Sequence, residues 1–358
     1  MKSLETSYPE VFVTNFHRRF TGVSATADAV LSQQTHRLNV RLVGQPLPST
    51  PQAWPYRKAL LCSRKAPGNR PFSIWHVRRN LEMSAALFVR DVLRYPIRIV
   101  FTSAAQRLHS RIPRALIARM DAVVATTSYA ASLVPHIAAV IPHGVDVDRF
   151  TPAADRQEAW KDLGLPGKYG IGIVGRIRHE KGTDCFVDAL CRVLPERPEF
   201  TGVIIGRAMP SDATFEAELR EKIRQHGLSD RILFLGEQSR DRMPAIMRAL
   251  SLLVASPRYE GYGMTPLEAM ASGAAVVATD TGVYRSIIEP DKTGYVVEIG
   301  DVESLTQAIA SITKNPERLH RMGADARKAA VLQLSLEQEI RGYSEIYQRL
   351  WQGETFRN

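Results

Sequence analysis

Short apolar runs recur along this chain, separated by stretches long enough for a helix. In the first half they are Val11–Thr14, Leu38–Val43, Ser73–Val77, Ile97–Thr102, Asp121–Thr127 and Ala138–Ile141. In the second they are Tyr169–Val174, Gly202–Gly206, Ile232–Gly236, Leu252–Ala255, Ala274–Ala278 and Gly294–Val297. Strands alternating with helices dictate an α/β architecture, with parallel sheets covered on both faces. The alternation pauses at residues 142–152, PHGVDVDRFTP, where two prolines and a glycine mark a connector. A chain of 358 residues suits two domains, so the expected partition is 1–150 and 151–334. The last stretch, from about 335, reads as a long amphipathic helix that could pack across both.

Composition narrows the classes. A hydrophobic fraction of 44% with 23% charged residues is ordinary for a soluble globular protein. The N-terminal MKSLETSYPE lacks the apolar core of a secretory signal, and no apolar run reaches the roughly 20 residues needed to span a bilayer. Cys62, Cys185 and Cys191 have no metal-ligand spacing and suit a reducing cytosol. The net charge of +10 is concentrated: residues 1–150 hold 20 Lys+Arg, 17 of them Arg, against 8 Asp+Glu. Such a half favours an anionic partner, and Arg in particular suits phosphate or carboxylate. The bland alternative is a solvated basic surface. No RNA-binding aromatic motif is present, so nucleic acid is not the expected partner.

Three strand-to-helix passages carry the candidate chemistry. Near the C-terminus, SPRYEGYGMTPLEAMASGAAVVATD (256–280) places Glu260 and Glu268 with seven residues between them, among them Gly261-Tyr262-Gly263. Thr265-Pro266-Leu267-Glu268 reads as a helix start, with Thr265 as N-cap, Pro266 first and Glu268 third. Glu268 can therefore be a capping-box residue alone. It can also face a diol through two acceptor oxygens, beside backbone N–H groups that favour an anion. Glu260 has no capping explanation. In GRIRHEKG (175–182), Arg176 and Lys181 share one loop above a helix start, where two cations can neutralise a diphosphate. The formal Gly170-x-Gly172-x-x-Gly175 fingerprint is rejected, because its glycines lie within the strand. In the first half, the loop after Val11–Thr14 carries Arg18, Arg19 and Gly22, and Arg78 and Arg79 follow the third strand, which contains His76. Strand ends of this kind face the ligand crevice of open α/β sheets. Residues 46–72 read as a surface excursion with room for a short helix. Asp146-x-Asp148 is set aside as a metal pair, having no third carboxylate nearby.

Taken in order, GRIRHEKG, IPHGVDVDRF (141–150) and the 256–280 stretch with its E-x7-E pattern resemble glycosyltransferase family 4, the retaining GT-B enzymes. The resemblance implies two Rossmann-like domains with an interdomain cleft, and a final helix, about 335–358, returning to the first domain. It implies that Arg176 and Lys181 bind the diphosphate of a nucleotide sugar, Glu260 the sugar hydroxyls and Glu268 the ribose. Gly175 and the backbone around Gly263, Met264 and Thr265 would assist, and Gly22 would bring the first domain's loop to the diphosphate. His109 is the candidate for the family's first-domain histidine, although Ser103 stands where that histidine is usual. TNFHRRFTGVSAT, WHVRRNLEM and IVFTSAAQR resemble, within the family, lipopolysaccharide core mannosyltransferases. That implies GDP-mannose as donor and a Kdo-bearing lipid A core as acceptor, with Arg18, Arg19, His76, Arg78, Arg79 and His109 as acceptor contacts. Arg176, Lys181 and Glu260 are the residues expected to act in catalysis. No metal or other cofactor is expected, since two cations fill the electrostatic role. The expected location is the cytoplasm, in peripheral contact with the inner membrane. The alternatives are the same fold using UDP-glucose or UDP-N-acetylglucosamine, and a non-catalytic binder of anionic glycolipid or nucleic acid.

Overall fold

A computed structural model describes residues 8–19, 21–68 and 70–357. The first seven residues, on which the reading of the N-terminus rests in part, and Phe20 of the basic loop lie outside the described residues. The chain divides into two units: residues 1–144 with 336–358, and residues 145–335. The boundary falls ahead of the expected residue 150, because Val145 and Phe150 are buried in the core of the second unit.

The first unit holds a six-stranded sheet in the order β2-β1-β3-β4-β5-β6. Its strands are β1 (Val11–Asn15), β2 (Val40–Gly44), β3 (Ser73–Val77), β4 (Ile97–Ser103), β5 (Ala122–Ala125) and β6 (Ala139–Val140). Every pairing is parallel. Alternate side chains therefore serve two cores. On one face Val11, Val13, Ile74, Val100 and Val124 pack with Ile340, Tyr343, Ile346 and Tyr347 of the C-terminal helix Leu336–Trp351. That helix clusters with this unit, to which the resemblance returns it. On the other face Phe12, Trp75, Ile99, Phe101 and Val123 meet Met83, Ala86 and Ile117. The excursion at 46–72 is more than surface. The short helix is there, Tyr56–Cys62, but its Ala59 is fully buried, and Trp54 and Tyr56 pack against the Phe12–Trp75 pair.

The second unit repeats the plan with the order β12-β11-β10-β7-β8-β9, again all parallel. Its strands are β7 (Tyr169–Val174), β8 (Phe200–Ile205), β9 (Ile232–Gly236), β10 (Leu250–Ala255), β11 (Ala275–Thr279) and β12 (Gly294–Val297). The chain winds outward from β7 through β8 to β9, then returns to lay β10 on the other side of β7. The direction of winding thus reverses between β7 and β10. In sheets of this kind the ligand crevice opens beyond the carboxyl ends of the strands at that reversal. The loops after β7 and β10 are the two second-unit motif loops.

Candidate functional site

The loop after β7 is fixed before any side chain is considered. Gly175, with φ +149, donates its N–H to Ile205 O at 2.9 Å, and Ile177 N–H donates to Arg207 O at 3.0 Å. Ile177 is buried, which leaves its neighbour Arg176 exposed on the rim. A single turn, His179–Lys181, leads into Gly182, whose left-handed backbone (φ +67) opens the helix Thr183–Val193. The N-cap glycine has no side chain to bond that helix start, and a helix N-terminus favours an anion.

The β10 loop is locked to it. Ser256 Oγ donates to Gly182 O at 2.9 Å, and Arg258 N–H donates to Glu180 O at 2.9 Å. The Arg258 guanidinium grips both Asp184 carboxylate oxygens, at 2.9 and 2.7 Å, and reaches His179 O as well. With the backbones joined, Lys181 Nζ lies 2.6 Å from Glu260 Oε2. Two residues 79 apart in sequence thus form one cation–carboxylate pair, each about a quarter exposed. Glu260 is held from behind as well: its N–H donates to Thr281 Oγ1, and its Oε1 accepts from Gly261 N–H at 3.0 Å.

The helix expected to be capped by Thr265 begins two residues earlier. It runs Met264–Ala271, and its N-cap is Gly263 in left-handed conformation (φ +92) rather than Thr265. The cause is Tyr284. A Cβ on Gly263 would sit 2.3 Å from its buried ring, so only glycine fits the turn, and the tyrosine hydroxyl pairs with Thr265. Glu268 is thereby the fifth helical residue rather than the third that a capping box uses. It sits back from water, which raises its pKa to about 7, against the opposing pull of the Arg149 and Arg240 charges. Arg149 comes from the IPHGVDVDRF motif, so the third motif bears electrostatically on the same glutamate. In that motif Asp146 Oδ1 accepts from Asp148 and Arg149 N–H groups, a turn-forming role.

In the first unit the structure separates the acceptor candidates. His76 is a correction. It is fully buried, with Nδ1 2.6 Å from Tyr347 Oη and Nε2 2.7 Å from Thr102 Oγ1, so neither ring nitrogen can meet a substrate. Burial and the nearby Arg78 charge hold its pKa well below the ordinary histidine value. Arg79 is engaged by scaffold: Nη1 donates to Asn15 Oδ1 and Glu82 Oε1, Nη2 to Thr21 Oγ1 and Ser24 Oγ. Glu82, absent from the sequence expectations, is fully buried and also accepts from Thr14 Oγ1, Phe16 N–H and Arg78 N–H. It ties the ends of β1 and β3 together. Arg18 and Arg19 stand exposed beside β1. Gly22 starts the helix Gly22–Gln34, capped by Thr21, with open space where a Cβ would be. His109 lies beyond β4 in a half-buried loop, its pKa lowered by burial. Arg78 is 9% exposed.

Known proteins resemble this chain along nearly its whole length. Residues 155–329 match the family model for glycosyl transferases group 1. The chain is 41% identical over 345 residues to the lipopolysaccharide core biosynthesis mannosyltransferase LpsB of Rhizobium meliloti, covering 95% of this chain and 97% of that protein. It is 40% identical to LpcC of Rhizobium leguminosarum bv. viciae, with the same description, covering 95% and 96%. Among solved structures, Anabaena HepE in complex with UDP and glucose superposes with a TM-score of 0.76 over 95% of this chain and 99% of its own, at 16% identity.

Proposed function

The chain belongs to the group 1 glycosyl transferases, and from that premise we propose that it transfers mannose from GDP-mannose to the Kdo-bearing inner core of lipopolysaccharide. Enzymatic glycosyl transfer in core biosynthesis follows from its near full-length kinship to LpsB and LpcC. The observation that carries the donor reading is the Lys181–Glu260 pair at the β7/β10 reversal. One loop offers cations, Arg176 and Lys181, and a helix start. The other offers a carboxylate, Glu260, followed by the Gly263-Met264-Thr265 helix start. That is the polarity a sugar diphosphate requires: phosphates on the first, sugar hydroxyls on the second. Glu268, further along the second helix, takes the ribose.

In this reading the anomeric carbon breaks its bond to the diphosphate oxygen and forms one to the acceptor oxygen on the same face. The acceptor proton passes to a phosphate oxygen of the leaving nucleotide. Arg176 and Lys181 stabilise the charge that grows there, so the enzyme needs no protein base and no metal for that purpose. The acceptor belongs to the Arg-rich first unit, with Arg18 and Arg19 at its exposed edge. Among the described residues no helix is long and apolar enough to cross a membrane. Contact with a glycolipid at the inner membrane would accordingly be peripheral.

The test is product analysis with a Kdo-terminated lipid A acceptor and a panel of GDP-mannose, UDP-glucose and UDP-N-acetylglucosamine. The expected product carries one α-mannose from GDP-mannose. Transfer from a UDP sugar, with GDP-mannose inert, would overturn the donor assignment.

A further inference from the structure

We propose that Arg78 receives an oxyanion of the acceptor, a carboxylate or a phosphate, at the carboxyl edge of the first unit's sheet. The inference rests on the reading of that unit as the acceptor unit, and it singles out one arginine among several.

Arg78 follows β3 directly. Two residues beyond His76 in an extended chain, it shares that residue's face of the sheet, the face covered by the C-terminal helix. Its charge bears on His76, Tyr343 and Tyr347 alike, and His76 is itself bonded to Tyr347 and Thr102. Arg78 is nine-tenths buried, yet Nε and Nη1 have no partner among the described residues. A guanidinium withdrawn from water without an anion is unfavourable.

The fold holds two buried carboxylates in this region, and both are committed. Glu82 is shared among Thr14, Phe16, the Arg78 backbone and Arg79. Glu339 accepts from His143 Nδ1 and Gly144 N–H, both at 2.8 Å. Two further buried polar atoms without partners stand at the next strand ends. Ser103 Oγ ends β4, and Thr126 Oγ1 follows β5, with Thr126 N–H donating to Ser103 O at 3.0 Å. A planar guanidinium fork withdrawn from water and left unpaired is matched to an oxyanion. Arg79, by contrast, spends both terminal nitrogens on scaffold.

The experiment is equilibrium binding without donor, so that it reads independently of which sugar is transferred. The probes are the methyl glycoside of Kdo, its neutral methyl ester, and glucosamine 4-phosphate beside glucosamine. Wild type should bind one anionic probe at least about tenfold more tightly than its neutral counterpart. Arg78→Met should bind both members of that pair alike, and Arg78→Lys should restore part of the preference. Preference for the Kdo carboxylate identifies the sugar acid as the source; preference for the phosphate identifies the lipid A backbone. Either outcome supports the proposal. Equal binding of both pairs by wild type overturns it whether or not the variants fold. So does an unchanged preference in a folded Arg78→Met. Failure of the mannose reading would show separately, in the product analysis.

Discussion

Lys181→Met separates the catalytic reading of the motif loops from a structural one. The stem of Lys181 crosses Gly175, its Cγ, Cδ and Cε lying 3.8–4.0 Å from where a Cβ on that glycine would be. Methionine keeps most of that apolar contact and removes only the ammonium. What the fold loses is an ion pair with both partners about a quarter exposed, worth about 0–1 kcal/mol. A loss of about 1 kcal/mol would lower Tm by roughly 2–4 °C in a unit of this size. What catalysis loses is a positioned cation on the leaving diphosphate. Removing one such preorganised group costs about 2.7–4 kcal/mol, or about 10²–10³ in kcat. Initial rates of GDP release, beside a thermal melt, read both effects. The pair also predicts coupling. If Lys181 and Glu260 grip one donor, Lys181→Met with Glu260→Gln should cost less than the sum of the single changes. A Lys181→Met enzyme within about twofold of wild-type kcat, an effect of only about 0.4 kcal/mol, would refute the diphosphate assignment.

Two further outcomes follow from the same loops. Glu268, with its pKa raised to about 7, must ionise to accept from two ribose hydroxyls. Donor KM should therefore fall about tenfold per unit as pH rises towards 7 and then level, and Glu268→Gln should abolish that slope. The sign for stability is opposite. The folded state holds a proton that the unfolded chain gives up above the ordinary glutamate value of 4.5, so the free enzyme loses stability as pH rises from there to about 7. A donor KM flat from pH 5.5 to 8 would sink the ribose role. Gly182→Ala should unlock the two loops, since its Cβ would sit 1.8 Å from Ser256 O at φ +67. Gly227 has the same φ with open space around it, so Gly227→Ala isolates the backbone strain of about 1–2 kcal/mol. Gly182→Ala should cost clearly more in thermal melts and raise donor KM; equal costs would show that the loops yield without consequence.

Most of the architecture was legible in the sequence because parallel strands buried on both faces must be apolar almost throughout. Ser73–Val77, Tyr169–Val174, Ile232–Gly236 and Gly294–Val297 stand where the apolar runs predict. The motif loops were legible too, since their glycines and charges are local. Distant partners left no such signal. Arg258 grips Asp184 across 74 residues, and His76 meets Tyr347 across 271. The Thr265 cap was misplaced for the same reason, because Tyr284 decides it from outside the helix.

The corrections nevertheless follow one rule that sequence can apply. A polar side chain inside a strand of a sheet covered on both faces points into a packed layer, and must spend its hydrogen bonds there. His76 lies within Ser73–Val77 and does so with both nitrogens. Arg176, Lys181 and Glu260 lie beyond the last paired residue of their strands, where the backbone turns away from the layer. Position relative to the strand end therefore separates histidines and arginines that serve the fold from those that can serve a ligand. Arg78, the first residue past β3, stands at that boundary: it is packed like a strand residue but unpaired like a loop residue. That combination makes it the arginine of the basic half whose charge is least explained by folding alone.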